Sequence, residues 1–173
     1  MIYFTSDLHL GHNGIISMQN RPFNTVDEMN RVLLTNYNAV VHQDDTVYIL
    51  GDVCHHMPVD GANDIIRKMK GKKYLLTGNH DKKYDPELFV EIKDFMTVSL
   101  NGVSFALMHY PMLSWPKKNS GSVQLHGHIH ARSDYNIKNR YDGIRRYDVG
   151  VDANGYYPVS LKAVMDFFGL EKG

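Results

Sequence analysis

Lys73-Tyr74-Leu75-Leu76-Thr77-Gly78-Asn79-His80-Asp81 carries the pattern from which the rest of the chain is read. Lys73 to Thr77 is a short run of the buried-strand type, and the next four residues switch at once to glycine and polar side chains. The same punctuation appears upstream, where Thr46 to Leu50 is closed by Gly51-Asp52, and at the start, where Ile2 to Ser6 runs into Asp7-Leu8-His9. Between these strands lie helical spacings. Thr25 or Asp27 caps a predicted helix running to about Val41, with Met29, Val32, Leu33, Tyr37 and Val40 on its apolar side. Ala62 to Lys70 is a second predicted helix, with Gly71 as its stop. Alternating strands and helices predict parallel pairing in an α/β sheet.

The second half reads differently. Phe95 to Leu100 and Val103 to Met108 flank Asn101-Gly102, a strong hairpin signal. Val123 to Leu125 and Asp148 to Val151 are further predicted strands, and Ser160 caps a last helix through Phe168, with Gly169 as its stop. No repeat, low-complexity tract or linker interrupts the chain, so residues 1–173 are expected to form one domain.

The polar residues fall where a site is expected. In α/β sheets ligands bind beyond the carboxyl ends of the strands. Five such ends carry Asp7 and His9, Asp52, Asn79, His109, and His128 and His130. Carboxylate, amide and imidazole donors without a thiolate exclude a cysteine-rich structural zinc site. They suit manganese, iron, zinc, cobalt or nickel better than calcium or magnesium. Any one of these residues alone has an ordinary reading as a turn former or a hydrogen-bonded histidine; their joint placement favours metal. The adjoining Gly51, Gly78 and Gly127 allow tight turns and close backbone approach.

Asp7-Leu8-His9, Gly51-Asp52, Gly78-Asn79-His80-Asp81, His109 and Gly127-His128-Ile129-His130 are, in this order, the five blocks of the calcineurin-like metallophosphoesterases, which the chain resembles. Asp7-Leu8-His9-Leu10-Gly11-His12 and His109-Tyr110-Pro111 also resemble a small bacterial and phage branch. The resemblance implies an α/β fold: a β-sandwich of two mixed sheets flanked by helices. It implies two metal ions, manganese first among the candidates. Asp7, His9 and His130 would hold one ion, and Asn79, His109 and His128 the other, with Asp52 bridging. His80 would be the catalytic histidine beside them. The implied reaction is hydrolysis of a phosphodiester or phosphomonoester by in-line attack of a metal-bridging hydroxide. His80 would protonate the leaving oxygen or stabilise the phosphoryl group. In calcineurin-type phosphatases the Gly-Asp block continues to a second Asp that partners the catalytic histidine. His55 stands there instead, which argues against a protein phosphatase and leaves the partner of His80 unassigned.

Other residues are weaker candidates. His12, Arg21, His55 and Tyr110 are read as substrate contacts, against plainer readings of His12 as a loop histidine and Arg21 as a surface arginine. Trp115 lines the pocket or packs in the core. Cys54 lacks the downstream arginine of a phosphate-cradling loop, so a cysteine phosphatase is not expected. Residues 131–147 interleave Arg132, Lys138, Arg140, Arg145 and Arg146 with tyrosines, a pattern for nucleic acid or for a solvated hairpin. A nuclease is therefore the alternative enzyme, and a scaffold without catalysis the alternative class.

Composition limits the rest. Lys+Arg and Asp+Glu both number 19, which argues against a nucleic-acid coat or a polybasic membrane anchor. The single cysteine excludes an internal disulfide. Neither a signal-peptide core nor a membrane-length apolar run is read, so a cytoplasmic enzyme acting on a small phosphate ester is expected.

Overall fold

A computed structural model of the chain describes residues 1–170. In chain order the elements are β1 (Ile2–Thr5), α1 (Asn13–Met18), α2 (Val26–Val40), β2 (Thr46–Ile49), α3 (Val59–Lys68), β3 (Lys72–Leu76), β4 (Glu91–Lys93), β5 (Phe95–Leu100), β6 (Val103–Met108), β7 (Val123–His126), α4 (Ser133–Tyr141), β8 (Arg146–Asp148), β9 (Val159–Ser160) and α5 (Leu161–Phe168). They build two mixed sheets. The first has the order β4-β3-β2-β1-β9, parallel except for β9. The second has the order β5-β6-β7-β8, in which only the β5–β6 hairpin is antiparallel.

Alternation along the central strands explains why the sheets stack. Tyr3, Val47, Ile49 and Leu75 face α2 and α3, against Met29, Leu33, Tyr37, Ala62 and Ile66. Their neighbours Phe4, Tyr48, Leu50 and Leu76 point the other way, against Phe105, Leu107, Val123 and Leu125 of the second sheet. A strand buried on both faces must be apolar throughout, which is why these segments read as continuous runs. The α/β sandwich of two mixed sheets with flanking helices is thus the fold observed.

The local signals mostly act as their chemistry dictates. Thr25 caps α2, its Oγ1 accepting from the Glu28 amide at 3.1 Å. Ser160 caps α5 in the same way, through the Ala163 amide at 3.1 Å. The hairpin over Asn101-Gly102 has the expected bounds. Helix α3 begins earlier than the periodicity of 62–70 suggested, at Val59, with Pro58 as its N-cap. It ends at Lys68, with Met69 already extended.

Two expectations are corrected. The strand expected at Asp148–Val151 is β8, Arg146–Asp148. Val149 and Val151 are buried; beyond Asp148 the chain leaves the second sheet and meets the first through a single bridge, Gly150 to Ser6, so it pairs there without forming a strand. The solvated hairpin considered for 131–147 is instead helix α4 followed by β8. Its inward residues are Asn136 and Asn139, and Asn136 pairs by both amide atoms with the Asp148 backbone. A helix that buries asparagines shows no apolar stripe. Among the described residues no helix is long and apolar enough to cross a membrane.

Candidate metal centre

Five strands, three from the first sheet and two from the second, end at one edge of the sandwich. Beyond β1 come Asp7 and His9, beyond β2 Asp52, beyond β3 Asn79 and His80, beyond β6 His109, and beyond β7 His128 and His130. Asp7, His9, Asp52 and His109 are buried, while Asn79 lies at the rim. The backbone bends sharply to aim them. Asp7, His9, Asp52, His128 and His130 all have positive φ, between 47° and 73°. Asp, Asn and His tolerate this left-handed region best among non-glycine residues, and such strain clusters at functional sites. The sheets must also approach closely. A Cβ on Gly51 would lie 2.5 Å from His109 Nδ1, and one on Gly127 would collide with Ser6 and the Asp7 carboxylate.

Asp52 sits at the middle. Its Oδ1 accepts from the His80 amide at 2.9 Å. Its Oδ2 lies 3.4 Å from His9 Nε2 and 3.5 Å from His109 Nε2. Asp7, His9 and His130 bring donor atoms within 4.8 Å of one another, and so do Asp7, Asp52 and His109. Asn79 Oδ1 is 3.1 Å from His109 Nε2. The ring of His128 stands 5.0 Å from that of His109. All seven residues singled out from the sequence as metal ligands are therefore neighbours.

The outer support was only partly legible. His109 donates from Nδ1 to the Leu50 carbonyl at 2.7 Å, which leaves Nε2 as a bare lone pair. His130 Nδ1 pairs with Asp152 Oδ2 at 2.8 Å, and its Nε2 faces Asp7 Oδ1 at 3.9 Å. Carboxylates behind a histidine fix its tautomer and orientation in metal sites. Arg21 holds Asp152 with two bonds, Nε at 2.9 Å and Nη2 at 2.8 Å, and caps the carbonyls of Leu8 and Asp7. Arg21 is fully enclosed, so neither the phosphate contact nor the surface arginine expected of it is correct. Burial of a guanidinium requires a paired carboxylate, and Asp152 supplies it. Asp81 is a second hub: it accepts from the amides of Gly78, Asp52 and Val53 and from Tyr84 Oη.

Burial and neighbours set the charges. Burial drives the Asp7 carboxyl up to about 8 against the opposing pull of His130. Burial opposes ionisation of Asp52 as well. There the His9 and His109 rings and the His80 amide outweigh it, bringing the group down to about 2. Burial lowers His9 to about 4, keeping its nitrogens neutral. Burial also disfavours the charged His130 ring, but Asp152 and Asp7 prevail and raise it.

Around the mouth lie more imidazoles. His55 stacks on His80 with ring centroids 4.0 Å apart, and on His56 at 3.9 Å. His12 is 4.6 Å from His55. Tyr110, partly exposed, stands edge-on to His128 at 4.6 Å. Trp115 is core, with its indole N–H on the Ser122 carbonyl. Burial pushes the Cys54 thiol up to about 12, so it is no nucleophile.

The donor set fits divalent ions. His9 is 2% exposed, yet neither of its ring nitrogens has a hydrogen-bond partner. Buried polar atoms are normally paired. His109 Nε2 and Asn79 Oδ1, two acceptors in this tautomer, face one another at 3.1 Å. A cation between such groups removes both anomalies.

Similarity to known proteins agrees with this geometry. Residues 1–110 match the model of the calcineurin-like phosphoesterases. An uncharacterised protein of Methanocaldococcus jannaschii is 36% identical, the match covering 99% of this chain and 92% of its own. The gene 66 protein of Mycobacterium phage L5 is 28% identical over 88% and 87% of the two chains. A crystal structure of a protein of unknown function from Aquifex aeolicus is 29% identical. It superposes with a TM-score of 0.75, covering 96% of this chain and 98% of that one. With the family model spanning most of the chain and the archaeal relative nearly all of it, the protein belongs to the calcineurin-like phosphoesterases.

Proposed function

We propose that this chain is a dinuclear-metal phosphohydrolase acting on small phosphate mono- or diesters. The observation that carries the reading is the position of Asp52 Oδ2, nearly equidistant from His9 Nε2 and His109 Nε2. A carboxylate oxygen between two lone-pair donors suits a bridge between two ions. Asp7, His9 and His130 would hold one ion, and Asn79, His109 and His128 the other; Asp7, near both trios, helps to keep them close. Manganese is the first candidate and iron, zinc, cobalt or nickel the alternatives. Such a pair supplies Lewis acidity and a water acidic enough to attack a phosphoryl group at neutral pH.

The chain does the rest. The His80 amide fixes Asp52 through Oδ1, which leaves Oδ2 free. The His80 ring, half-exposed at the mouth and braced by His55, is the proton donor to the departing oxygen. Asp152 and Arg21 hold His130 in one tautomer. His12, His55 and Tyr110 line the approach and are the proposed substrate contacts.

Small esters are favoured over nucleic acid because the basic side chains of 131–147 are largely engaged within the chain. Arg132 bonds the Gln19 carbonyl, Arg145 that of Gly121 and Arg146 that of Met112. Lys138 pairs with Asp142. We read the chain as one domain working in the cytoplasm. The test is hydrolysis of a panel of phosphomonoesters, phosphodiesters, nucleotides and short oligonucleotides by protein loaded with Mn²⁺. Turnover of a mono- or diester that EDTA abolishes and Asp52→Asn removes is expected. No cleavage of any ester, with Asp52→Asn indistinguishable from wild type in metal content, refutes the reading.

A further inference from the structure

We propose that His12 and His55, together with the ring of His9, form a third metal site at the mouth of the centre, taking a transition-series divalent cation such as zinc or cobalt. It goes beyond the dinuclear reading and rests on it only in sharing His9. One nitrogen from each of the three rings lies within 4.8 Å of the other two. The Nδ1 atoms of His12 and His55 are buried without a hydrogen-bond partner, as are both nitrogens of His9. Buried and unpaired nitrogens are costly unless something satisfies them.

The backbone brings these rings together without help from the inner ligands. Leu10 N–H donates to the Val53 carbonyl at 3.0 Å, and His55 N–H returns to the Leu10 carbonyl at 2.9 Å. That pairing sets the loop bearing His9 and His12 beside the loop bearing His55. A further bond from His12 N–H to the His9 carbonyl, at 3.0 Å, closes the turn between the two histidines. The cluster is preorganised, which is the main requirement of a metal site.

The donor chemistry selects the ion. Three imidazoles with no carboxylate among them suit zinc, cobalt, nickel or copper and give magnesium or calcium no oxygen ligand. Three histidines also leave coordination positions open. An anion has less to hold it: Arg21, the arginine or lysine nearest in sequence to His12, is spent on Asp152 and two carbonyls. For His9 to serve both centres its ring would have to release the N–H proton to solvent, since a neutral imidazole offers one lone pair; both of its nitrogens are buried without a hydrogen-bond partner. An ion in this position adds positive charge beside His80, since His55 and His80 are stacked. A substrate with a second anionic group would meet it there.

Stoichiometry tests the site. Chelator-stripped protein is titrated with Co²⁺, followed by mass-spectrometric metal analysis and by visible absorption. Wild type is expected to bind three ions, and the double variant His12→Asn/His55→Asn two. His12→Gln alone, a milder change, is expected to weaken only the last ion to bind, by about tenfold or more. Saturation at two ions in wild type and double variant alike, with fewer in Asp52→Asn, overturns the third site and leaves the inner centre standing. One ion in wild type, lost in the double variant and kept in Asp52→Asn, supports the mouth site and removes the inner one.

Discussion

The histidines of the proposed inner centre and those at the mouth are the same side chain under different constraint. Inside, His109 and His130 each have one nitrogen tied off, by a backbone carbonyl in one case and by Asp152 in the other. At the mouth, His12, His55 and His56 are held chiefly by one another's faces, and two of the three keep a buried nitrogen without a partner. Carboxylates explain the contrast. Asp7, Asp52 and Asp152 all lie in the inner shell, where they fix tautomers and balance charge, whereas the mouth cluster has none among its rings. Rings fixed by carboxylates and carbonyls make a rigid receptor for ions. At the mouth the loops are set by backbone pairing and two ring nitrogens are left bare, ready for an ion that the stacked rings themselves do not replace.

Removing the bridge should break the inner region outright. Asp52→Asn is expected to lower kcat with saturating Mn²⁺ by about 10³–10⁴-fold, the scale of several kcal/mol of lost charge stabilisation. A fall of less than tenfold in steady-state assays would mean that Asp52 bridges nothing. Next comes the buried pair. Arg21→Met leaves Asp152 enclosed without its guanidinium and should cost about 3–5 kcal/mol in urea unfolding, as broken buried ion pairs do. A loss below about 1 kcal/mol would show that the pair is not the anchor described.

Asp152→Asn is gentler, since the amide keeps the shape but no longer balances the His130 proton. Metal affinity by isothermal titration should fall about 10–100-fold, the usual effect of a partner behind a metal histidine. The last test concerns charge alone. In metal-free protein the Asp7 carboxyl titrates near 8, above its unfolded value of 3.8. The folded state therefore holds a proton that the unfolded state has lost, and stability falls as pH rises through that window. Asp7→Asn should gain on wild type between pH 4 and 8, by at most about 1.4 kcal/mol per pH unit, while binding metal worse. Parallel melting curves for the two proteins across that range would remove Asp7 from this role.

The inner region was far more legible in the sequence than its support. Each proposed ligand follows a strand, so a short apolar run ending in a polar residue marks it locally, with glycine just before that residue at three of the five ends. The pair Arg21–Asp152 spans 131 positions and carries no local signature. Arg21 consequently read as solvent-facing. The role of Asp81 was hidden for another reason: it serves the backbone of Asp52 and Val53, and sequence spacing does not say which amides a loop leaves unpaired. In the fold, α1, β4 and β9 were missed because two to six residues show no period. Helix α4 was missed because it turns amides inward, towards Asp148.

Left-handed backbone at Asp7, His9, Asp52, His128 and His130 has a consequence for the alphabet available at these positions. A β-branched residue at any of them would lose the donor and fight the bend as well, so valine or isoleucine is excluded twice. A copy of this chain that ceased to bind metal would drift first towards glycine, which keeps the bend while discarding the donor, and towards asparagine, which keeps the bend but carries no charge. Transplanting the centre to another sandwich likewise requires moving these three loops intact, because side chains grafted onto ordinary extended loops would point elsewhere.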